Sequence, residues 1–230
     1  MNPVELYEQL PPERQQLLDQ VNFLAQHLSA DLMLEQFYLA LDALNHRLQQ
    51  LLPQTQCQTG CSHCCQHYAL PEILPMEWQL IQQALVRLSP QQQTQIQENV
   101  DALQDLLDAD LNLKAPRHQY PDVTCPLLLE GQCSVYAFRP FDCRVTGYSF
   151  SQSRERPLPM LGLKLAPYSC QSEQQRVLQD LQQGRHPLEY MFVPNREQLW
   201  QSFKTIELST ERPRRLLSWL VAYFQVQVDH

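Results

Sequence analysis

The sequence predicts a mainly α protein, a helical scaffold holding two irregular cysteine-rich segments. Three observations predict it. Apolar residues recur at steps of three and four through most of the chain. Seventeen prolines against five glycines punctuate those runs. Between about 113 and 170 the periodicity stops, while all the cysteines lie outside the periodic runs. Leu, Gln and Glu enter helices at little entropic cost and proline ends them, so such a chain reads as helices separated by breaks.

Taken in order, a first helix covers part of 3–28. From Leu32 onward, Phe37, Leu41, Leu44, Leu48 and Leu51 mark one apolar helical face that ends near Pro53. Trp78, Ile81, Leu85 and Leu88 repeat the step. Ser89-Pro90-Gln91-Gln92 then has the form of a capping box with proline at the first helical position, opening a helix that carries Ile96, Val100, Leu103, Leu107 and Leu111. Ser172-Glu173-Gln174-Gln175 opens another, with Val177, Leu178 and Leu181 inward, and Asn195-Arg196-Glu197-Gln198 caps one more. Pro213 stands near the start of the last helix, with Leu216, Leu217, Leu220, Val221 and Phe224 on its apolar side. In the irregular stretch, Val135-Tyr136 and the run from Thr146 to Phe150 are expected as short strands or extended loop. Residues 1–230 are read as a single domain: a cysteine-cluster core at about 55–170, flanked by N-terminal helices at about 3–52 and C-terminal helices at about 172–226.

With 230 residues and 43% hydrophobic content, the chain can bury a core without disulfides. Its 17 Lys+Arg against 25 Asp+Glu give a net charge of -8. A general nucleic-acid or anionic-membrane surface is disfavoured by that balance. The stretch from Met1 to Glu8 lacks a basic region and an apolar core, so it does not read as a secretory signal. The most apolar run, Leu216 to Val228, is broken by Gln225 and Gln227 and is shorter than the ~20 residues a membrane span needs. A cytoplasmic location is expected, where thiols stay reduced and clustered cysteines serve metal binding or catalysis more often than disulfides.

The first cysteine segment is Cys57-x3-Cys61-x2-Cys64-Cys65, with Gly60 free to make a tight turn. The second carries Cys125, Cys133 and Cys143, with Cys170 further on. Buried thiols that merely pack would be scattered along the helix faces; these are not, so all eight are candidate metal ligands. Zinc takes four ligands in a tetrahedron, and adjacent cysteines such as Cys64 and Cys65 point apart on most backbones. Eight thiols allow two four-thiolate sites or one multinuclear cluster. Arg139 and Arg144 flank Cys143 and can offset thiolate charge, or pair with a loop carboxylate such as Asp142. His63 and His67 are alternative nitrogen ligands, or surface residues.

These residues resemble the YkgJ-type cysteine-cluster family, a zinc- or iron-chelating domain. The resemblance rests on Cys57, Cys61, Cys64 and Cys65 followed by Leu70-Pro71-Glu72-Ile73, then on Cys125, Pro126, Gly131, Cys133, Tyr136, Arg139, Pro140, Cys143 and Arg144. It covers roughly 55–150 and implies Zn2+ or Fe as the ion bound, with an iron-sulfur cluster as a further form. Two functional classes follow. One is a non-catalytic metal protein in which the ion organises the two segments or a surface for a protein partner; Asp142 and Glu130, the nearest carboxylates, form no catalytic pair. The other is an iron-sulfur enzyme, because Cys57, Cys61 and Cys64 have the spacing of the radical S-adenosylmethionine motif, with methyl transfer or redox chemistry as its reaction. Against it, such enzymes use a strand-helix barrel that this pattern of helices does not predict.

Overall fold

In the computed structural model the described residues are 7–28, 32–52, 57, 60–67, 70–109, 124–146, 151–152, 163–164, 175–176, 179, 182–183, 196–206 and 211–228. In chain order the helices and strands are α1 (Pro12–Gln26), α2 (Leu34–Leu51), α3 (His63–His67), β1 (Glu72–Ile73), α4 (Pro75–Val86), α5 (Pro90–Ala109), β2 (Leu128–Leu129) and β3 (Gln132–Cys133). A 3-10 turn at Tyr136–Phe138 follows, then α6 (Phe141–Val145), β4 (Ser151–Gln152), β5 (Leu163–Lys164), α7 (Arg196–Lys204), β6 (Arg214–Arg215) and α8 (Leu216–Val228). The protein is mainly α. Its described strands are two residues long and pair in antiparallel twos: β1 with β6, β2 with β3, and β4 with β5.

The chain divides into two compact units, one made of 1–58 and 144–208, the other of 59–143 and 209–230. In the first, α1 packs on α2. The predicted stripe on α2 is the buried one, since Phe37, Leu41, Leu44, Leu48 and Leu51 are all buried, and Leu18 and Val21 bury the inner side of α1. Phe203 of α7 adds its ring at 5.4 Å from Phe37 and 6.0 Å from Tyr38. Asn195 and the residues expected inward at 177, 178 and 181 lie outside the described residues, although 175–176, 179 and 182 are helical.

The core of the second unit joins α4, α5 and α8. Trp78, Ile81, Leu85, Ile96, Val100, Leu103, Leu216, Leu220 and Phe224 form one apolar cluster, and Cys125, Leu127 and Val135 from the irregular segment belong to it. The capping box at Ser89 forms in both directions: the Gln92 N–H donates to Ser89 Oγ at 3.2 Å and the Ser89 N–H donates to Gln92 Oε1 at 3.1 Å. Glu72 pairs with Arg215 and Ile73 with Arg214, which ties the start of α8 to the segment after α3. There Trp219 stacks on Trp78 at 5.5 Å and its indole N–H donates to the Ile73 carbonyl.

The irregular segment is a hairpin followed by two short turns of helix. Leu128 faces Cys133 and Leu129 faces Gln132 across a two-residue turn, Glu130-Gly131, in which both residues have positive φ, 49° and 78°. This backbone matches the right-handed twist of the strands and favours glycine. Val135 and Tyr136, expected as short strand or extended loop, lead into the 3-10 turn. The Val135 carbonyl accepts from the Phe138 N–H at 2.8 Å, because the strand ends at Cys133 where its two-residue partner runs out. Thr146 is in a turn, and 147–150 lie outside the described residues.

Candidate functional site

Five thiols come together in the second unit. Cys64 and Cys65 sit on the one-turn helix α3, Cys125 just before the hairpin, Cys133 on β3 and Cys143 on α6. A backbone hydrogen bond from the Cys125 N–H to the Cys65 carbonyl, 2.8 Å, joins the two cysteine segments directly. Leu127 then accepts from the Ser134 N–H, closing the hairpin so that Cys133 returns beside Cys125. The Sγ atoms of Cys64 and Cys65 are 4.0 Å apart, so this adjacent pair is not splayed as expected of neighbouring residues. α3 is a single turn, and its Cys65 carbonyl is held by the bond from the Cys125 N–H.

The grouping shapes the ionisation of these thiols. The Cys65 thiol is held well above its ordinary range, first by a hydrogen bond with Cys125, then by one with Cys64, and by burial. Burial is the first cause for Cys133, pushed up to about 12, with the neighbouring Cys125 and Cys64 adding to it and Arg139 opposing it. Cys143 is also raised well above its ordinary range, by burial and then by Cys64, Cys125 and Cys133. Without an ion these sulfurs therefore keep their protons at neutral pH. Protonated thiols stand at hydrogen-bonding spacing, and among the described residues no three His, Cys, Asp or Glu side chains are set to hold one ion.

The remaining candidates fall elsewhere. Cys61 is exposed. Cys57 belongs to the first unit, where its thiol donates to the Thr146 carbonyl at 3.3 Å. Cys170 lies outside the described residues. The rings of His63 and His67, one helical turn apart on α3, meet at 4.3 Å; burial first, and then His67, lowers the His63 pKa and favours its neutral form. Arg139 lies 4.1 Å over the Tyr136 ring, and its charge is a minor influence that favours the Cys133 thiolate. Arg144 pairs with Asp42 of α2 and lies 4.1 Å over the Tyr38 ring.

Sequence reasoning missed two carboxylates. Asp42 follows Tyr38 by one turn of α2 and precedes Asn45, whose side-chain amide donates to the Arg144 carbonyl. Glu77 is 1% exposed; its two oxygens accept from the Leu74 N–H at 2.9 Å and the Phe141 N–H at 2.7 Å. A signal for Glu77 was present in Leu74-Pro75-Met76-Glu77, where a glutamate three residues after the cap precedes an apolar run.

The donor set fits zinc or iron. Thiolate is the soft ligand both take, and four sulfurs at ~2.3 Å from a tetrahedral ion stand ~3.8 Å apart, close to the Cys64–Cys65 spacing of 4.0 Å. A helical chain that gathers thiols from a one-turn helix and a hairpin defines a cysteine-cluster protein. Residues 56–176, just over half of the chain, match the CxxCxxCC family model, described as "Putative zinc- or iron-chelating domain", and the chain belongs to that family. The pattern in that name has two residues between its first cysteines, whereas Gln58, Thr59 and Gly60 make three here. No curated protein and no solved structure matches the chain.

Proposed function

We propose that this is a non-catalytic chelating protein in which Cys64, Cys65, Cys125, Cys133 and Cys143 supply the thiolates for zinc. Cys61, three residues before Cys64, is a further donor for a second ion or for exchange. The observation that carries the proposal is the convergence of five thiols on one place in the second unit. They arrive from segments joined by the Cys125–Cys65 backbone bond. When bound, the ion supplies a cross-link between segments that have little regular structure of their own. The protein's own groups prepare for it: the hairpin presents Cys133, α6 presents Cys143, and Arg139 offsets thiolate charge at Cys133. Among the described residues no carboxylate pair or activated nucleophile accompanies the thiols, which supports a holding role.

Anaerobic purification followed by metal analysis, acid-labile sulfide assay and a visible spectrum tests this reading. A colourless protein with stoichiometric zinc and no sulfide is expected. A brown protein with sulfide overturns it in favour of an iron-sulfur centre, and a protein without metal removes the site. Serine at Cys125 or Cys133 should abolish stoichiometric binding, while serine at Cys57 should leave it within about twofold, because thiolate ligands dominate the affinity of such sites.

A further inference from the structure

We infer that Glu77 is a positioning residue for Cys143, an inference that rests on the chelating role proposed above. Glu77 is nearly completely buried in the second unit. A buried carboxylate is costly unless its oxygens are satisfied, and here two backbone amides do so on different chain segments. One oxygen takes the Leu74 N–H, which caps α4. The other takes the Phe141 N–H at 2.7 Å, and that amide opens the single helical turn whose third residue is Cys143.

Capping α4 requires only the first of these bonds. The second fixes the start of α6 on a rigid helix of the core, and Phe141 beside it is fully buried, so the backbone leading to Cys143 has two anchors. A five-residue helix has too few internal hydrogen bonds to hold its own orientation. Glu77 therefore sets where the Cys143 sulfur stands relative to Cys64, Cys125 and Cys133, and does so without touching the ion. Outer groups that orient metal ligands are worth about 10–100-fold in affinity.

The test uses the full chain and four variants: Glu77→Gln, Cys143→Ser, the double variant, and Ser89→Ala as a control that removes a helix cap far from the thiols in sequence. Glutamine keeps the size but offers one acceptor oxygen where two amides need one each. Competition against a chromophoric chelator gives zinc affinity, and cobalt substitution gives the thiolate charge-transfer band. In the metal-free chain, alkylation mapped by mass spectrometry gives the relative rate at each cysteine. Glu77→Gln is expected to weaken zinc about 10–100-fold, to alter the cobalt band and to raise alkylation of Cys143 selectively, while Ser89→Ala changes affinity less than about threefold. In the Cys143→Ser background, Glu77→Gln should add almost nothing. Equal effects of Glu77→Gln with and without Cys143, or alkylation that rises evenly at all cysteines, overturn the inference and leave a capping role only. If the unaltered protein binds no metal, the chelating reading fails by itself, and selective exposure of Cys143 in metal-free Glu77→Gln still decides the positioning role.

Discussion

Arg144 shows what a single buried charge demands. Its side chain is 2% exposed whereas that of Asp42 is 44% exposed, so the two ends of this ion pair stand in different media. Tyr38, Asp42 and Asn45 lie on one face of α2, and they meet the guanidinium or the backbone carbonyl of Arg144. Removing the carboxylate takes one partner from a charge that cannot reach water, while removing the guanidinium leaves a carboxylate that can. Asp42→Ala is therefore expected to cost about 2–4 kcal/mol and Arg144→Met less than half of that, an asymmetry that urea denaturation of the two variants would show. Equal losses would mean that solvent reaches Arg144 as freely as Asp42. The arginine was legible in the sequence as a charged neighbour of Cys143, but its partner was not. Asp42 stands on a helix a hundred residues earlier in the chain, and no local pattern marks it.

Elements were legible where their signals are local. The apolar stripe of α2 and the capping box at Ser89 depend on residues a few positions apart, and both formed as read. Ser89→Ala should cost about 1 kcal/mol, measured as a shift of the urea midpoint with unchanged slope. The hairpin that carries Cys133 has little trace in the sequence, because two-residue strands are too short to show alternation and the Val135-Tyr136 pair reads equally as short strand or extended loop. Its signal lay in the turn, where Gly131 supplies one positive φ cheaply and Glu130 adopts the other at a cost. A Cβ added at Gly131 meets no atom within 4 Å, so Gly131→Ala tests the backbone alone and should destabilise by about 1 kcal/mol. Glu130→Asn should stabilise by about 0.5 kcal/mol, since asparagine adopts the left-handed region more readily. Thermal melts of the two variants moving in the same direction would contradict this turn geometry. The cysteine cluster itself was legible as a list of thiols but not as a group of five. Its closure depends on the Cys125 N–H finding the Cys65 carbonyl, a contact with no periodic trace.

At the scale of the whole molecule, the raised thiols set opposite pH slopes for the metal-free and the metal-bound protein. In the folded metal-free chain Cys65, Cys133 and Cys143 keep their protons above the range in which an unfolded thiol, near ~8.5, gives its proton up. The folded pKa being the higher one, their contribution to stability is fully present below ~8.5 and is lost as pH rises toward the folded values, about 12 for Cys133. Each such thiol can cost up to ~1.4 kcal/mol per pH unit in that window. Zinc reverses the sign, because each thiolate it takes must first release a proton, so its affinity grows with pH while the thiols remain protonated in the free chain. Urea midpoints between pH 7 and 10 should therefore fall for protein held in chelator and fall less, or rise, for protein with a slight excess of zinc. Proton release on adding zinc at pH 7, read with a weakly buffered indicator, should amount to several protons per ion. A metal-free midpoint that climbs through this range would mean that the thiols ionise more easily folded than unfolded, and the grouping that raises them would have to be abandoned.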